Sequence, residues 1–260
     1  MLRNCFALMM FVSLYAWGQD GVANNMANIT AGEYRPLYLS SDSPLVNVPP
    51  FRLDKQPVTN REFQYFVLEN PKWQRDVVPS LFAEDGYLTH WVKIDNRYKP
   101  DPSDMNKPVV FVSWYSAQAY CQSKQKRLAT VAEWEYVAQA SFVQKDGSRE
   151  KGYNQKILDW YAEAANQTLT EVGRDIPNYW GVHNMHGLIW EWNEDFNSEL
   201  ISGESRNDSS VNKELYCASG SAGAVNPSDY AAFMRYGFRS SLNAKFTLKS
   251  LGFRCATDNK

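Results

Sequence analysis

The sequence predicts one α+β domain held together by aromatic packing rather than by long regular elements. Three observations lead there. Short strand-like stretches are interspersed with helices that announce themselves by capping residues, so both element types share one chain. Long intervening segments, residues 71–108 above all, show no hydrophobic period. Nine Trp, fifteen Tyr and thirteen Phe against only fourteen Gly supply enough ring area to anchor a core with little regular secondary structure.

Residues 1–19 read as a secretory signal peptide, with the single domain running from 20 to 260. Arg3 gives a positive start, residues 6–17 are apolar, and Ala16-Trp17-Gly18 offers a small-x-small cleavage site. The apolar run is too short to span a bilayer, and no other stretch approaches that length. The mature chain is therefore expected to be periplasmic or secreted. Cys5 has no preceding small-residue run that would suit a lipoprotein anchor, so a retained N-terminal anchor is the weaker alternative.

Residues 25–47 are polar and loop-like, with Tyr34–Tyr38 a short strand candidate, and Val46–Asp54 alternates as a strand does. Thr59 and Glu62 form a capping box, in which each side chain satisfies the other's backbone amide. Phe63, Phe66 and Val67 then recur at helical spacing, giving a helix to about Asn70. The long segment 71–108, with Tyr87-Leu-Thr-His-Trp91 inside it, reads as a loop that is either functional or packed by its own side chains. Pro108–Ser113 reads as a strand, and Ser113 caps a helix over Trp114–Gln125 that puts Ala117, Tyr120 and Cys121 on one face. Thr130 with Glu133 repeats the capping box ahead of Trp134, Val137 and Ala138. Residues 142–158 read as a polar loop and 198–213 as a surface loop. Leu215–Ala218 is a strand candidate, followed by a small-residue turn, Ser219–Ala224, where backbone could approach a partner closely. Tyr230–Arg239 sets two cations among aromatics, and Leu251–Cys255 is a final strand.

A formal net charge of −2 and the lack of any sustained Lys/Arg run exclude a nucleic-acid surface. Removal of the signal leaves Cys121, Cys217 and Cys255 in an oxidising compartment. Three cysteines make one bridge and one leftover thiol, and this arithmetic leaves the pair open.

The stretch most informative about function is Asn184-Met-His-Gly-Leu-Ile-Trp-Glu-Trp-Asn-Glu-Asp195. It sets one acid, Glu191, between Trp190 and Trp192. A buried carboxylate is costly unless paired. A hard cation held by oxygens is one solution, with Asn184, Glu191 and the carbonyls near Gly187 and Ile189 as ligands. The plainer solution keeps Glu191 on the wet face of an alternating strand, with the tryptophans in the core.

Four ordered segments carry a family resemblance: Pro57-Val-Thr-Asn60 with Phe63 and Phe66, the run from Val110 to Ala138, Asn184 to Trp192, and Leu251 to Cys255. Together they resemble the sulfatase-modifying-factor domain of formylglycine-generating enzymes over about residues 30–257. The resemblance implies a variant of the C-type lectin fold with little regular structure. It implies a structural calcium site on Asn184 and Glu191 side chains and Gly187 and Ile189 carbonyls. It also implies a Cys121–Cys255 disulfide, and a catalytic segment following Ser219-Gly220-Ser221. There the chain departs from the family. Formylglycine-generating enzymes place two copper(I)-binding cysteines shortly after that serine, whereas residues 222–239 contain none and Cys217 stands alone before the turn. One thiolate does not make a two-coordinate copper site, so copper is not expected. A three-histidine iron site, as in the sulfoxide synthases of the superfamily, would draw on His90, His183 and His186. They form no His-x-x-x-His pair, and read as structural or surface groups.

Three functions compete. The first is an accessory or maturation factor that binds a periplasmic protein or peptide, similar to family members that accompany copper nitrite reductases. Tyr34-Arg-Pro-Leu-Tyr38, Gly86–Trp91 and Phe233–Leu242 carry that similarity. It is expected to act as a monomer. Its groove would be floored by Ser221, Tyr230, Arg235, Tyr236 and Arg239 near Trp190, since Arg and aromatics dominate binding energy. The opposing reading pairs Arg235 and Arg239 with core carboxylates such as Glu133 or Glu135. The second function is a metal-dependent oxidase of protein cysteine using Cys217, against an inert buried thiol. The third is a lectin-like ligand binder.

Overall fold

The architecture rests on the first and last described strands sharing one sheet. A computed structural model describes residues 25–34, 45–148, 150–163, 168–197 and 227–259. The signal-peptide stretch, Leu215–Ala218, Cys217 and Ser221 lie outside these, and only the backbone of Tyr230 is described. Four antiparallel strands run in the order β1 (Met26–Ile29), β4 (Phe51–Asp54), β10 (Cys255–Asp258), β7 (Arg127–Leu128). Leu53 faces both Ala27 and Ala256 in register, and all three are buried. Two hairpins flank the sheet: β2 (Gly32–Tyr34) with β3 (Val46–Val48), and β5 (Val92–Ile94) with β6 (Arg97–Lys99). Asp95 and Asn96 turn the second hairpin with φ of 48° and 61°, the left-handed pair that a tight hairpin turn demands. A parallel pair joins β8 (Trp190–Glu191) to β9 (Leu251–Gly252). Gly252 is required there: a Cβ would sit 2.3 Å from the Val109 carbonyl oxygen.

The three capped helices form where their local chemistry places them. Helices α1 (Asn60–Glu69) and α3 (Val131–Ala138) start at Thr59 and Thr130 with complete capping boxes, and Ser113 caps α2 (Trp114–Ser123). Phe63 is the centre of the larger core, with Phe66, Trp91, Tyr120 and Phe253 rings 5.3–6.3 Å away. Tyr87, Leu88 and Trp91 of the segment 71–108 are buried in the same cluster, and that segment, expected to be a loop, also carries the β5–β6 hairpin. A second cluster joins Ile29, Phe51, Leu53, Trp134, Val137 and Met185.

Four expectations are corrected. Residues 26–29 are a strand rather than a loop, because β4 offers them a pairing edge. Pro108–Ser113 is buried but is not a strand. Phe111 has φ 54° and its neighbours bond singly to separate segments, Val109 N–H to the Val58 carbonyl and Phe111 N–H to the Leu248 carbonyl. A short apolar run does not reveal its backbone state by periodicity. The polar stretch 142–158 turns into α4 (Tyr153–Glu163), which buries Ile157 and Trp160. Leu251–Cys255 divides into β9 and the start of β10. The fifth helix, α5 (Pro227–Ser240), packs against α4.

Cys121 of α2 and Cys255 of β10 form a disulfide across 134 residues of sequence, with Cα atoms 5.6 Å apart. Such a bridge acts mainly by constraining the unfolded chain. Replacing both cysteines by Ser is expected to lower the unfolding free energy of the mature protein by about 2–5 kcal/mol in urea titration. A loss below about 1 kcal/mol would mean the bridge contributes little to stability.

Candidate functional site

Glu191 leaves β8 pointing into the protein, and the cation that meets it belongs to the chain itself. The side chains of Glu191 and Arg254 are each 1% exposed. Arg254 Nε donates to Glu191 Oε2 at 2.8 Å and Nη2 to Oε1 at 2.7 Å, while Trp134 Nε1 donates to Oε2 at 2.9 Å. Nη1 donates to the carbonyl of Asp54 at 3.2 Å, and Nη2 also reaches the carbonyls of His183 at 2.9 Å and Asn184 at 3.4 Å. Glu191 is thus not on a wet strand face, because its strand pairs on the inside with β9.

These contacts bear directly on calcium. Both Glu191 oxygens are committed to Arg254 and Trp134, the Asn184 carbonyl oxygen accepts from Arg254, and the Asn184 side-chain oxygen accepts from Gly173 N–H at 2.7 Å. Calcium needs six to eight oxygens. A calcium ion held by Asn184, Gly187, Ile189 and Glu191 would therefore share the Glu191 carboxylate with Arg254, as ligating carboxylates that are themselves hydrogen-bonded do.

A second charged cluster lies on the other side of Trp134. Arg235 and Arg239, four apart on α5, both turn to Glu135 of α3. Arg235 Nη2 lies 2.8 Å and Arg239 Nη1 2.7 Å from its oxygens. Arg235 also donates to the Tyr161 hydroxyl, and Arg239 to Asn193 Oδ1. Glu133 serves Arg127 instead. Burial pushes the Glu135 carboxyl up, but the two guanidinium charges outweigh it and hold it at about 2. The Trp134 ring lies 5.1 Å from Arg239 and 5.9 Å from Arg235, so its face meets one ion cluster and its N–H the other.

Of the expected groove floor, Ser221 and the Tyr230 side chain lie outside the described residues, and the remaining members are turned inward by the same contacts. Arg235, Tyr236 and Arg239 are buried, at 4%, 7% and 6% exposure. Trp190 stacks between Tyr161 and Phe238, with ring centroids 4.9 and 4.3 Å away. The space left among these groups is about 10 Å³, water-sized at most. Buried guanidinium groups need a carboxylate, and Glu135 takes both. The histidines do not converge: His90 bonds Asn60, His183 bonds Asp175, and His186 bonds the Ala138 carbonyl. Burial lowers His90 and His186 to about 4.

Roomier space lies elsewhere. A cleft of about 380 Å³ runs between α4 and residues 174–187, lined by Phe142, Tyr153, Trp160, Asp175, Ile176 and His186. Sequence reading missed it along with α4. The available signal was Ile157 and Trp160, three apart on one helix face.

Comparison with known proteins places this geometry among relatives. The family model described as sulfatase-modifying factor enzyme 1-like domain matches residues 25–259. The formylglycine-generating enzyme of Streptomyces coelicolor is 27% identical over 82% of this chain and 80% of its own length. The mouse protein named inactive C-alpha-formylglycine-generating enzyme 2 is 29% identical over 56% of this chain and 58% of its own. Among solved structures, PvdO from Pseudomonas aeruginosa superposes with a TM-score of 0.51 at 19% identity, covering 90% of this chain and 94% of PvdO. That likeness is one of fold.

Two outcomes are expected. Arg254→Met, which strands Glu191, should cost about 3–5 kcal/mol, and the Glu191→Leu/Arg254→Met double variant should recover most of it. Calcium chelation tests the expected ion: a fall of several degrees in the melting temperature of the parent protein would show a structural calcium at this set, and no change would show that Arg254 and Trp134 alone satisfy Glu191. For pH, the folded values of His90, His186 and Glu135 (about 4, 4 and 2) all lie below their ordinary 6.5 and 4.5. The unfolded chain therefore binds the extra protons, and stability is complete above about pH 6.5. It should fall as pH drops through the histidine window and again through the Glu135 window below 4.5. A melting temperature flat between pH 6.5 and 4 would contradict the burial of both imidazoles.

Proposed function

We propose a function for a chain that belongs to the sulfatase-modifying factor enzyme 1-like family, whose domain fills residues 25–259. It is an exported, monomeric accessory or maturation factor that acts on a periplasmic or secreted protein without the two-cysteine copper site of the formylglycine-generating enzymes. One observation carries the reading. The chain has four cysteines, and the Cys121–Cys255 bridge consumes two of them. Cys5 falls in the expected signal peptide, which leaves Cys217 without a second thiol. Copper(I) in this family is held by a pair of soft thiolates, and the arithmetic leaves no pair.

Other features support a binding role. Arg235 and Arg239 are spent on Glu135, so the helix that follows the expected catalytic segment stiffens the domain rather than presenting charge. Relatives include both a formylglycine-generating enzyme and a protein named as its inactive form, so the domain supports more than one outcome. No helix among the described residues is long and apolar enough to cross a membrane.

The test has two arms on the mature full chain. Copper(I) titration and oxygen consumption with a cysteine-containing peptide should show no stoichiometric binding and no oxidation. Affinity capture from the periplasm of the native host should return a specific exported protein. Copper binding that disappears in Cys217→Ser, together with oxidation of the peptide cysteine, would replace this reading with the metal-dependent oxidase.

A further inference from the structure

The hairpin of β5 and β6 stands out from the core. All three residues of β5 are exposed, while Trp91 before it and Pro100 after β6 are buried and fix its base. No third strand pairs with it among the described residues, so β5 keeps an outer edge. The register tells which backbone groups that edge offers. Asp95 and Asn96 make a two-residue turn, and Ile94 faces Arg97 across it. Such a turn is closed by a hydrogen-bonded pair, and bonded pairs alternate with unbonded ones along an antiparallel ladder. Ile94–Arg97 and Val92–Lys99 are therefore bonded, and Lys93–Tyr98 is not. The N–H and C=O of Lys93 thus point away from β6, and no other backbone group among the described residues takes them up.

The side chains give that edge a charge. Residues 92–99 hold three cations and one acid, in a chain whose net charge is −2. Lys93, Arg97 and Lys99 take part in none of the ion pairs among the described residues. Lys93 shares one face of the hairpin with Tyr98, whose ring Arg75 covers at 4.5 Å. Val92 and Ile94 lie on the other face with their partners Lys99 and Arg97, and are 46% and 38% exposed. The edge therefore presents aliphatic, cationic and aliphatic side chains in alternation. Arg97 and Lys99 sit one strand behind it, so their charge acts on a neighbour about 10 Å away, within a Debye length.

We propose that the outer edge of β5 receives an extended acidic segment of the partner protein as a third, antiparallel strand. A central Glu or Asp lies opposite Lys93 and exchanges both backbone hydrogen bonds with it, and the apolar residues on either side of that acid cover Val92 and Ile94. Main-chain pairing supplies the affinity and alternate side chains the specificity in such strand addition. The polar tip, Asp95-Asn96, does not suit insertion into a bilayer, which favours a protein over a lipid surface. The proposal rests on the reading that the partner is a protein, and it places the contact away from the buried arginines of α5.

The test uses the mature full chain and the peptide acetyl-Thr-Val-Glu-Val-Thr-amide as probe. The probe should shift the Lys93 backbone ¹H–¹⁵N resonance saturably at millimolar concentrations. The same peptide with Lys in place of Glu should bind about fivefold more weakly, since a like-charge pair replaces an opposite one. N-methylation of the Glu nitrogen, which removes the donor to the Lys93 carbonyl, should weaken binding by a similar factor. Lys93→Glu, at an exposed position, should reverse the preference between the two charged peptides. An unmoved Lys93 amide, equal affinity for the Glu and Lys peptides, indifference to N-methylation, or an unreversed preference in Lys93→Glu would each overturn the proposal. The hairpin cations would then only guard an open edge against self-pairing. Failure here is separable from failure of the functional reading. Peptide binding without any captured partner sinks the accessory role alone. Capture of a partner with unchanged yield in Lys93→Glu sinks the hairpin assignment alone.

Discussion

The buried pair of Arg254 and Glu191 sets the constraint that the rest of the domain obeys. A carboxylate taken out of water must meet a cation or hydrogen bonds of comparable strength. Here one planar guanidinium with a fixed fork of donors reaches the Glu191 carboxylate and carbonyls from the end of β4 and from residues 183–184. The acid and its partner are 63 residues apart, yet β8 and β9 lie side by side because that pair has to close. Removing either member strands a charge, whereas replacing both with apolar groups need not. The pair therefore specifies how the ends of the domain dock more than it adds stability.

Trp134 transmits that constraint to the helices. Its N–H is held by Glu191 and its face is covered by the guanidinium groups of Arg239 and Arg235. The next residue, Glu135, collects both arginines. α3 and α5 are thus fixed to each other through one carboxylate and to the strand pair through one indole. Tyr161 of α4 joins by its hydroxyl, and the ring stack of Tyr161, Trp190 and Phe238 closes what would otherwise be a groove. The cost of sheltering these charges is that both arginines are engaged by Glu135.

The functional consequence follows from what is conserved in kind and what is spent. The scaffold is that of the formylglycine-generating enzymes, but its thiols are allotted to structure: the bridge from α2 to β10 uses two of the four cysteines.

What the sequence by itself determined is local. Thr59 with Glu62, Thr130 with Glu133, and Ser113 mark helix starts because a capping box closes within three residues. The aromatics of residues 71–108 mark that segment as packed but do not reveal the β5–β6 hairpin within it, and the Cys121–Cys255 bridge was available only through family resemblance. Tertiary structure alone decided the fate of the charges. Glu191 invited a cation, but whether an ion or a guanidinium supplies it depends on a residue 63 positions away. Arg235 and Arg239 offered two carboxylates, and the choice of Glu135 over Glu133 spans about a hundred residues. β1 and α4 escaped notice for the same reason: each becomes a regular element by pairing or packing against a segment distant in the chain. Caps are written in neighbouring residues, whereas the partner of a buried charge is fixed only when the chain has closed on itself.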